Sequence, residues 1–409
     1  MRKADVAIIG AGQAGLATSY YLSQSGIEHV VLDRATVADS WRSRRWDSFT
    51  LNIPNWSFTL PGFTYDGPDP DGFMTREAIV ERFTRYAGVI GAPVEEGIDV
   101  TALAQTADGT YLLTTTAGPI SARAAVVATG AYQRRHVPAN ALDASILQIT
   151  TDEYRHARQL EEGGVLVVGS GQSGCQIAED LIEDGRRVWL ATGSCGWMPR
   201  RYRGRDNVAW RMDMRMFDET VEQLGHATRH ACPPIQTGVG RDRDLNLRTL
   251  HDAGVTLTGR LLGGEGTTVR LADDLPQNAA RGDEFARRFI EKVESYIRDV
   301  NIEAPVPLPF KAMTAIDQAP TELDLAAERI ATVIWATGFS LDFGWIELDL
   351  NIRDGYPEQT QGVTRYPGLY FMGLQLMHTR KSGLIFGVGE DAAHVAARVA
   401  AHLGAEPLC

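Results

Sequence analysis

The chain begins with an apolar run of the length expected for a buried strand. Residues 5–10 read DVAIIG, and a second apolar run at residues 30–32 ends in Asp33. The segment between them, about residues 13–25, has the composition of a helix. Continuous apolar runs are typical of parallel strands that are covered on both faces. The pattern therefore predicts strand, helix and strand in that order, the repeating unit of α/β folds.

The same pattern returns in the second half of the chain. Residues 165–168 and 187–191 are apolar runs, and a predicted helix at about residues 172–184 separates them. Two further apolar runs end in the same tripeptide, Ala-Thr-Gly, at residues 128–130 and 336–338. The repetition predicts two Rossmann-like units, each built around a parallel sheet.

The remaining segments fill in around these two units. Residues 100–121 alternate between apolar and polar and break at Asp108-Gly109 and Gly118-Pro119, which predicts a small antiparallel meander. Apolar residues at helical spacing predict helices, and shorter runs predict strands, in the following places: helices at 76–86, 283–300 and 390–403, short strands within 255–274, and a strand at 366–373.

The first unit carries a glycine fingerprint between its strand and its helix, Gly10-x-Gly12-x-x-Gly15. The first glycine allows a tight turn, the second lets a pyrophosphate approach the backbone, and the third lets helix and strand pack closely. The helix N-terminus offers unpaired N–H groups to the phosphates. Asp33 follows Gly10 by 33 − 10 = 23 positions, near the spacing at which an acid binds the ribose hydroxyls. We therefore predict a dinucleotide site that includes Gln13, Ala14 and Arg34 as well.

The second unit carries a second fingerprint, Gly169-x-Gly171-x-x-Gly174, with Gln172 and Ser173 inside it. Position 169 + 23 = 192 is Thr192 rather than an acid, and arginines follow at 200, 201, 203 and 205. A missing acid with arginines nearby favours a ribose 2′-phosphate. The second site is thus interpreted as an NADPH site, with Arg200 and Arg201 as candidates for the phosphate. A solvated basic loop is the alternative, and the spacing does not choose among the arginines.

Length and charge narrow the class of protein. A chain of 409 residues exceeds the size at which one core stops growing, about 250–300 residues, so two domains are expected. A net charge of −12 argues against nucleic acid and anionic membranes as partners. Neither a signal peptide nor an apolar run of about 18 residues is found, which predicts a cytoplasmic protein. The partner is expected to be a small-molecule substrate, and a homodimer is left open.

The cysteines and the other reactive side chains do not point to a metal. Cys175, Cys195, Cys232 and Cys409 are scattered without a CxxC pair, which disfavours a zinc ribbon, a disulfide framework and a redox-active vicinal pair. Cys175 falls in the first turn of a predicted helix, where a thiolate could be stabilised, but a small buried side chain is the preferred interpretation. No metal-ligand spacing, Ser-His-Asp order or P-loop is found.

Taken together, these motifs resemble the flavoproteins with two dinucleotide-binding domains, and among them the flavin-containing monooxygenases with their YUCCA-like branch. A bacterial subgroup of flavin-dependent oxidoreductases is the most similar group. The resemblance covers nearly the whole chain and rests on these matches: Ser40-Trp-Arg42, Trp46-Asp-Ser48, Leu51-Asn-Ile-Pro54, Leu60-Pro61, Ala128-Thr-Gly130 and Trp335-Ala-Thr-Gly-Phe339.

The resemblance implies an FAD domain into which an NADPH domain is inserted, plus the small β meander. We expect residues 1–157 and 330–409 to form the FAD domain. Residues 158–329 are expected to form the inserted NADPH domain, with a helical insertion at about residues 276–326.

The resemblance also implies a reaction. NADPH reduces the flavin, O₂ adds to give a C4a-(hydro)peroxyflavin, and a small soft nucleophile is oxygenated at nitrogen or sulfur. Asn52 matches the family's asparagine against the flavin and is the expected catalytic residue, with a loop-capping amide as the alternative. The remaining residues expected at the cofactors are Trp41, Arg42, Thr129, Gly130, Thr337, Gly338 and Gly373. Trp41 could equally be core and Arg42 a surface ion pair.

A poorly matched family motif and a group of basic residues keep other interpretations open. The family motif F-x-G-x-x-x-H-x-x-x-[Y/F] would fall at residues 144, 146, 150 and 154, where only Tyr154 matches. A flavin reductase or oxidase that transfers hydride or electrons without oxygen insertion is therefore the alternative, and a flavin-bound sensor is the third hypothesis. His378, Arg380 and Lys381 follow the last predicted strand and could face flavin or an acidic substrate.

Overall fold

A computed structural model describes residues 1–240, 242–313 and 319–405. Its helices alternate with short strands over most of the chain. The α-helices are α1 (Gln13–Gln24), α2 (Asp39–Ser43), α3 (Arg76–Val89), α4 (Gln172–Glu183), α5 (Asn207–Asp213), α6 (Val221–Leu224), α7 (Leu247–Asp252), α8 (Leu275–Asp299) and α9 (Val388–Leu403). Short 3₁₀ turns occupy Asn55–Ser57, Ala157–Gln159 and His226–His230.

The strands are mostly short and fall into two main sheets and several small ones. In chain order they are β1 (Arg2–Ile9), β2 (His29–Asp33), β3 (Thr59–Leu60), β4 (Phe63–Thr64), β5 (Val94–Glu96), β6 (Val100–Gln105), β7 (Tyr111–Thr115), β8 (Ile120–Val127), β9 (Arg134–Arg135), β10 (Ala141–Leu142), β11 (Leu147–Thr150), β12 (Gly164–Val168), β13 (Val188–Ala191), β14 (Arg201–Tyr202), β15 (Arg205–Asp206), β16 (Thr256–Thr258), β17 (Leu261–Gly266), β18 (Thr268–Leu271), β19 (Glu322–Asp324), β20 (Ile330–Trp335), β21 (Phe339–Ser340) and β22 (Leu369–Phe371).

The first sheet has the order β5-β2-β1-β8-β7-β6, and β22 also pairs with β8. Its centre is parallel: Ile8 pairs with Val31 on one side and with Val126 on the other. The meander of β6, β7 and β8 is antiparallel, as the alternation predicted. The carboxyl ends of β1, β2, β8 and β22 therefore meet at one edge, where open α/β sheets bind their ligands.

The second sheet repeats this plan in the order β11-β20-β12-β13-β16, with all pairs parallel. Of the short strands predicted within residues 255–274, β16 lies in this second sheet, whereas β17 and β18 belong to a third sheet of four strands, β10-β17-β18-β19. Buried residues of both main sheets, such as Ile8 and Val126 in the first and Val165 in the second, belong to one hydrophobic cluster. The predicted α/β class with two Rossmann-like sheets and a meander is confirmed.

The boundaries predicted for the inserted domain differ from the sheet topology. β20, predicted to begin the returning FAD segment at residue 330, pairs with β12 in the second sheet. β11, predicted within the first segment, also lies in the second sheet. Both were assigned wrongly because a short apolar strand carries no signal for which sheet it joins. The chain returns to the first sheet first by a bridge between Ile346 and Leu103 of β6 and then with β22.

The helical insertion predicted at about residues 276–326 is helical only in its first part. α8 starts at Leu275, before the predicted residue 283, and ends at Asp299. Pro276 occupies the first turn, where the missing N–H costs nothing. Beyond it, Glu322–Asp324 is a strand that pairs with β18 rather than a helix. Part of the insertion, residues 314–318, lies outside the described residues.

Within the described ranges, the helices are too short or too polar to cross a bilayer. This agrees with the sequence, in which apolar runs are brief.

A disulfide joins Cys195 to Cys232, 37 positions apart. The scattered cysteines had disfavoured a disulfide framework, and this bond was missed because spacing along the chain does not report spatial proximity. The two Cα atoms lie 5.8 Å apart here. Cys175 is a free, fully buried thiol, which confirms the packing interpretation. Burial raises the pKa of the Cys175 thiol, so it stays protonated.

The disulfide is expected to stabilise the fold. Closing a loop of this length restricts the unfolded chain, so the double variant Cys195→Ser/Cys232→Ser should lose about 2–4 kcal/mol of unfolding free energy. Urea denaturation with and without dithiothreitol measures this, and the reductant should affect only the wild type. A non-reducing peptide map in which both cysteines are free thiols would contradict the bond.

Candidate active site

The first glycine loop is tightly closed at its two ends and open in its middle. A Cβ on Gly10, whose φ is +111°, would lie 2.5 Å from the Ala128 carbonyl oxygen. A Cβ on Gly15 would lie 1.9 Å from the Gly10 carbonyl oxygen. A Cβ on Gly12, in contrast, would meet nothing within 4 Å. The open position at the start of α1 fits a pyrophosphate that approaches the backbone closely.

Neighbouring segments fix the shape of this loop. The Asp33 carboxylate accepts hydrogen bonds from the backbone N–H groups of Ala11 (2.7 Å) and Ala35 (3.0 Å). Gln13 donates through Nε2 to the Gly383 carbonyl oxygen at 2.9 Å. A Cβ on Gly373 would lie 2.7 Å from the Cβ of Ala14. Loop, acid and C-terminal segment, all predicted as cofactor-binding, are thus brought together.

The residues after β8 border the same edge. Gln133 donates through Nε2 to the Thr129 hydroxyl at 2.9 Å and to the Gly130 carbonyl oxygen at 2.7 Å. Gly130 has a φ of +79°, which a glycine adopts without strain. The first Ala-Thr-Gly sequence is therefore a fixed turn beside the first glycine loop, since β8 pairs with β1.

The second glycine loop has the same framework and a different middle. A Cβ on Gly169 would lie 2.6 Å from the Ala336 carbonyl oxygen, and one on Gly174 would lie 1.9 Å from the Gly169 carbonyl oxygen. A Cβ on Gly171 would lie 3.3 Å from Cys232 Sγ and 3.8 Å from Cys195 Sγ. The disulfide therefore borders the second nucleotide loop at the position where the first loop is open.

The side chains predicted around this second loop differ in their availability. Gln172 uses its amide to bind the backbone of Gln236, donating to its carbonyl oxygen (2.7 Å) and accepting from its N–H (3.0 Å). Ser173 is partly exposed. Thr337 donates its hydroxyl to the His136 carbonyl oxygen, and the Gly338 carbonyl oxygen accepts from the His136 N–H at 3.0 Å. Gln172 and Thr337 thus hold the loop rather than face a ligand.

Thr192, which stands where an acid would bind the ribose, and Arg200, predicted for the 2′-phosphate, are both buried. The Thr192 hydroxyl donates to the Thr258 carbonyl oxygen at 2.7 Å and has only 1% of its surface exposed. Arg200 is fully buried and donates to Asp206 Oδ1 (2.6 Å) and to the carbonyl oxygens of Asn52 (2.8 Å) and Thr237 (3.0 Å). The prediction for Arg200 was wrong because a run of arginines does not show which one turns inward. Arg201 is half-buried and stays a candidate.

Asn52 occupies a loop that the second half of the chain holds in place. Its carbonyl oxygen accepts from Arg200, and the Thr50 hydroxyl donates to the Gly238 carbonyl oxygen at 2.8 Å. Within the described residues, the Asn52 side-chain amide makes no hydrogen bond. The loop-capping role belongs instead to Asn55, whose Nδ2 donates to the Asp69 carbonyl oxygen at 2.8 Å. The Asn52 amide is therefore available to bind a ligand.

The other predicted side chains of the first domain are less informative. Trp41 stacks on Phe83 with ring centroids 6.4 Å apart, and the Arg45 guanidinium lies 5.4 Å from its ring, so Trp41 packs as a core residue would. Arg34 and Arg42 are exposed, and neither forms an ion pair among the described residues. The cofactor contacts expected for Arg34 and Arg42 stay predictions.

Tyr154, the one residue that matches the family motif F-x-G-x-x-x-H-x-x-x-[Y/F], connects the first and second nucleotide-binding units. Tyr154 is fully buried and donates its hydroxyl to Asp180 Oδ2 on α4 at 2.5 Å. Ser48, from the first domain, donates to the other oxygen of the same carboxylate. Burial, together with the Asp180 hydrogen bond, raises the pKa of Tyr154, so the hydroxyl stays protonated. Asp180 thereby ties the linker and the Asn52 region to the second nucleotide domain.

The basic residues near the last strand are already engaged. Arg380 donates to Glu219 Oε2 through Nε (3.0 Å) and Nη2 (2.8 Å), and Lys381 Nζ lies 2.6 Å from both Asp218 and Glu390. His378 Nδ1 lies 3.8 Å from Asp391 Oδ1. These contacts fasten the 378–387 segment to residues 216–221 and to α9.

One arginine that the sequence did not single out is different. Arg211 on α5 is only 8% exposed, and its guanidinium makes no hydrogen bond or ion pair with the described residues. Burial and the nearby cations Arg380 and Arg200 lower the pKa of Arg211 to about 9. The only sequence signal is its spacing of three from Val208, which puts both residues on one face of α5.

Comparison with known proteins agrees with this architecture. Residues 7–228 match the family described as pyridine nucleotide-disulphide oxidoreductase. This chain belongs to that family. An uncharacterized CzcO-like oxidoreductase of Geobacillus kaustophilus (strain HTA426) is 32% identical over 398 residues, covering 96% of this chain and 97% of the relative. The chain is therefore an oxidoreductase, and the predicted enzyme class is confirmed.

The flavin monooxygenase resemblance is confirmed as well. Indole-3-pyruvate monooxygenase YUCCA1 of Oryza sativa subsp. japonica is 33% identical over 196 residues, which cover 44% of this chain and 45% of that protein. The structure of the flavin-containing monooxygenase from Stenotrophomonas maltophilia shares the fold, with a TM-score of 0.66, 19% identity and coverage of 98% and 99%. The chain is thus a flavin monooxygenase-like flavoprotein.

Alanine substitutions at Gly12 and Gly15 of the first loop should have different effects. Gly15→Ala forces a side chain into a carbonyl oxygen, so the apoprotein should lose several kcal/mol of stability or fail to fold. Gly12→Ala adds a methyl to open space, so the apoprotein should keep its stability to within about 1 kcal/mol. Thermal unfolding of the apoproteins and flavin content of the purified variants check this. A Gly12→Ala protein with full flavin content would contradict the assignment of the open position to a phosphate.

Asp391 should make stability depend on pH. Burial raises the pKa of Asp391 to about 6. The native chain therefore keeps a proton that the unfolded chain releases near pH 4, and stability falls as pH rises between these values by up to about 3 kcal/mol. Asp391→Asn removes this term, so it should be more stable than wild type near pH 7 by more than near pH 4. Urea unfolding at both pH values measures the difference.

The exposed neighbour Glu390 provides the control for that experiment, since its side chain is 67% exposed. Glu390→Gln removes one carboxylate from the same turn of α9 at an exposed position, and both variants are compared with wild type at the two pH values. A pH-independent difference for Asp391→Asn would contradict the raised pKa.

Proposed function

We propose that this protein is an FAD- and NADPH-dependent monooxygenase that oxygenates a small soft nucleophile at nitrogen or sulfur. The proposal combines the flavin monooxygenase-like family membership with two complete dinucleotide loops. O₂ and a small-molecule substrate would be its co-substrates. The flavin would supply oxygen activation through the C4a-(hydro)peroxyflavin that the family resemblance implies.

The two cofactors are assigned by the chemistry of the loops. FAD suits the first loop, where Asp33 can accept hydrogen bonds from ribose hydroxyls and the Gly12 position is open. NADPH suits the second, where no acid follows the strand and the half-buried Arg201 lies beyond it. A preference for NADPH over NADH is the consequence of this assignment.

The available amide of Asn52 is the observation that carries the proposal. The Asn52 side chain is half-buried rather than fully buried, so a ligand can reach its amide. Here the backbone is fixed by the fully buried Arg200, while the side chain has no hydrogen-bond partner among the described residues. An amide can donate to an oxygen intermediate and accept from a flavin N–H without titrating. Asn52 thus offers, on a fixed backbone, an amide of the chemical kind that can stabilise an oxygen intermediate.

The chain also offers a way to keep water out. Residues 216–221 lie along the 378–380 segment, with the Val221 N–H donating to the His378 carbonyl oxygen at 2.9 Å. The rings of Phe217 and Phe386 contact each other at 4.9 Å between centroids. We call residues 216–221 and the 378–387 segment the cover. The hydrogen bond from Gln13 to the Gly383 carbonyl oxygen joins the cover to the first nucleotide loop. A dry site protects an oxygenating species from hydrolysis.

A reductase or oxidase without oxygen insertion is the second candidate. The poor match to the family motif F-x-G-x-x-x-H-x-x-x-[Y/F] favours this candidate. Thr150 stands where the family has histidine, and its hydroxyl is shared as a donor between Asp152 (2.7 Å) and Glu153 (2.8 Å). No histidine is then present at that position to couple the bound nicotinamide to flavin chemistry. The two candidates share the reduction of flavin by NADPH and differ in the fate of the reduced flavin.

Anaerobic reduction and subsequent mixing with O₂ separate them. NADPH should bleach the flavin faster than NADH does, and reoxidation should pass through a transient C4a-adduct spectrum. With a thioether or amine substrate, label from ¹⁸O₂ should appear in the product. Direct return to oxidised flavin, with hydrogen peroxide accounting for all NADPH consumed across such substrates, would overturn the monooxygenase proposal in favour of the oxidase.

Asn52→Ala should uncouple the enzyme. Loss of one hydrogen bond to a charged oxygen species is worth about 1.5–3 kcal/mol, so the adduct should decay about 10- to 100-fold faster and the peroxide yield should rise. Flavin reduction by NADPH should change much less, because that step precedes oxygen. Stopped-flow spectra and peroxide assays measure both steps. Equal slowing of reduction and unchanged adduct decay would show that Asn52 acts on the fold or on NADPH instead.

A further inference from the structure

Arg211 is a buried cation whose guanidinium has no acceptor among the described residues. Nine-tenths of its surface is inaccessible, Nε is buried without a hydrogen-bond partner in that part of the chain, and the Phe217 ring lies 4.1 Å from the guanidinium carbon. Burying a cation without an anion or a hydrogen-bond acceptor costs several kcal/mol. A fold that retains such a group holds it ready for a ligand that supplies the missing acceptors.

The charges around Arg211 do not compensate it. The groups that act most on Arg211 are Arg380, Arg200, Glu219 and Asp206. The two acids are already committed, Glu219 to Arg380 at 2.8 Å and Asp206 to Arg200 at 2.6 Å. Each of these two pairs is neutral in itself. One positive charge, that of Arg211, is left over, and a monoanion would neutralise it.

The location connects Arg211 with the proposed reaction site. On one side, Arg200 binds the carbonyl oxygen of Asn52. On the other, Phe217 contacts Phe386, and Arg380 donates to the Met216 carbonyl oxygen at 3.1 Å. The 378–387 segment borders the first nucleotide loop through the Gln13–Gly383 hydrogen bond, and the family resemblance implies that Asn52 lies against the flavin. Arg211 therefore lies between these two segments, with the Phe217 ring beside its guanidinium.

We propose that Arg211 binds the carboxylate of the substrate. A guanidinium presents two parallel N–H donors that match a carboxylate, and the single uncompensated charge matches a monoanion better than a phosphate dianion. The Phe217 ring beside the guanidinium, and the Phe386 ring that contacts Phe217, suit an apolar body attached to that carboxylate. The substrate is then a small organic acid that carries the oxidisable nitrogen or sulfur, an assignment that rests on the proposed function.

Binding to the oxidised holoenzyme tests the site without turnover. The probes are (phenylthio)acetate and its neutral amide, which share the ring and the thioether sulfur and differ in charge. The acid should bind at micromolar to millimolar concentration and about 10- to 100-fold more tightly than the amide. Calorimetric titration and perturbation of the flavin spectrum both report this.

Variants then assign the difference to one side chain. Arg211→Gln should abolish the preference for the acid while leaving the affinity for the amide within a few-fold. Arg211→Lys should keep part of the preference, because it retains the charge without the fork. Arg205→Gln is the matched control: Arg205 flanks the same helix but is already paired with Asp213 at 2.7 Å and stacked on Trp210, so the preference should be intact.

Several results would overturn the assignment. These are equal binding of acid and amide, no binding of the acid at millimolar concentration, or an equal loss of both probes in Arg211→Gln with the lysine variant folded. Inorganic phosphate that competes as well as the acid would show a phosphate site instead. Because the assay needs neither NADPH nor O₂, preferential acid binding in a protein that transfers no oxygen would refute the monooxygenase proposal and leave this one standing.

Discussion

The close approach of helix and strand backbones at Gly15 and Gly174 is the constraint on which the structure depends. In both units, a Cβ on the third glycine would fall 1.9 Å from the carbonyl oxygen of the first. This contact sets where each helix begins and points its free N–H groups at the sheet edge. Around it the rest of each nucleotide domain is arranged, including the acid or threonine that ends the next strand.

Much of the fold could be predicted because short-range patterns encode it. Apolar runs, glycine spacings and the alternation in β6 and β7 each report a local conformation, and the order of elements then restricts the topology. The sheet to which β11 and β20 belong could not be predicted in this way, since sheet membership depends on contacts far apart in sequence. The pairing of Cys195 with Cys232 escaped for the same reason.

The site shows the same division between local and long-range information. The loop glycines, Asp33 and Asn52 could be named as candidates from the sequence because the roles predicted for them depend on the backbone conformation or on family motifs. The burial of Arg200 and Arg211 could not be predicted, because burial of a long cationic side chain depends on which acids lie close to it in the fold. Arg200 donates to Asp206 and to two carbonyl oxygens, whereas Arg211 contacts an aromatic ring and has no acceptor within the described part of the chain. A run of arginines in the sequence gives no hint of this difference.

The disulfide has a consequence for recognition as well as for the glycine loop it touches. The chain between Cys195 and Cys232 carries Arg200, Arg211 and Phe217, so this part of the proposed cover belongs to a covalently closed ring. A ring has fewer conformations to lose when a ligand arrives, so more of each contact appears as affinity. Opening the ring would shift that ordering cost onto the ligand. At the site proposed around Arg211, the thiol balance of the surroundings would thereby tune the affinity for a ligand that touches no sulfur atom.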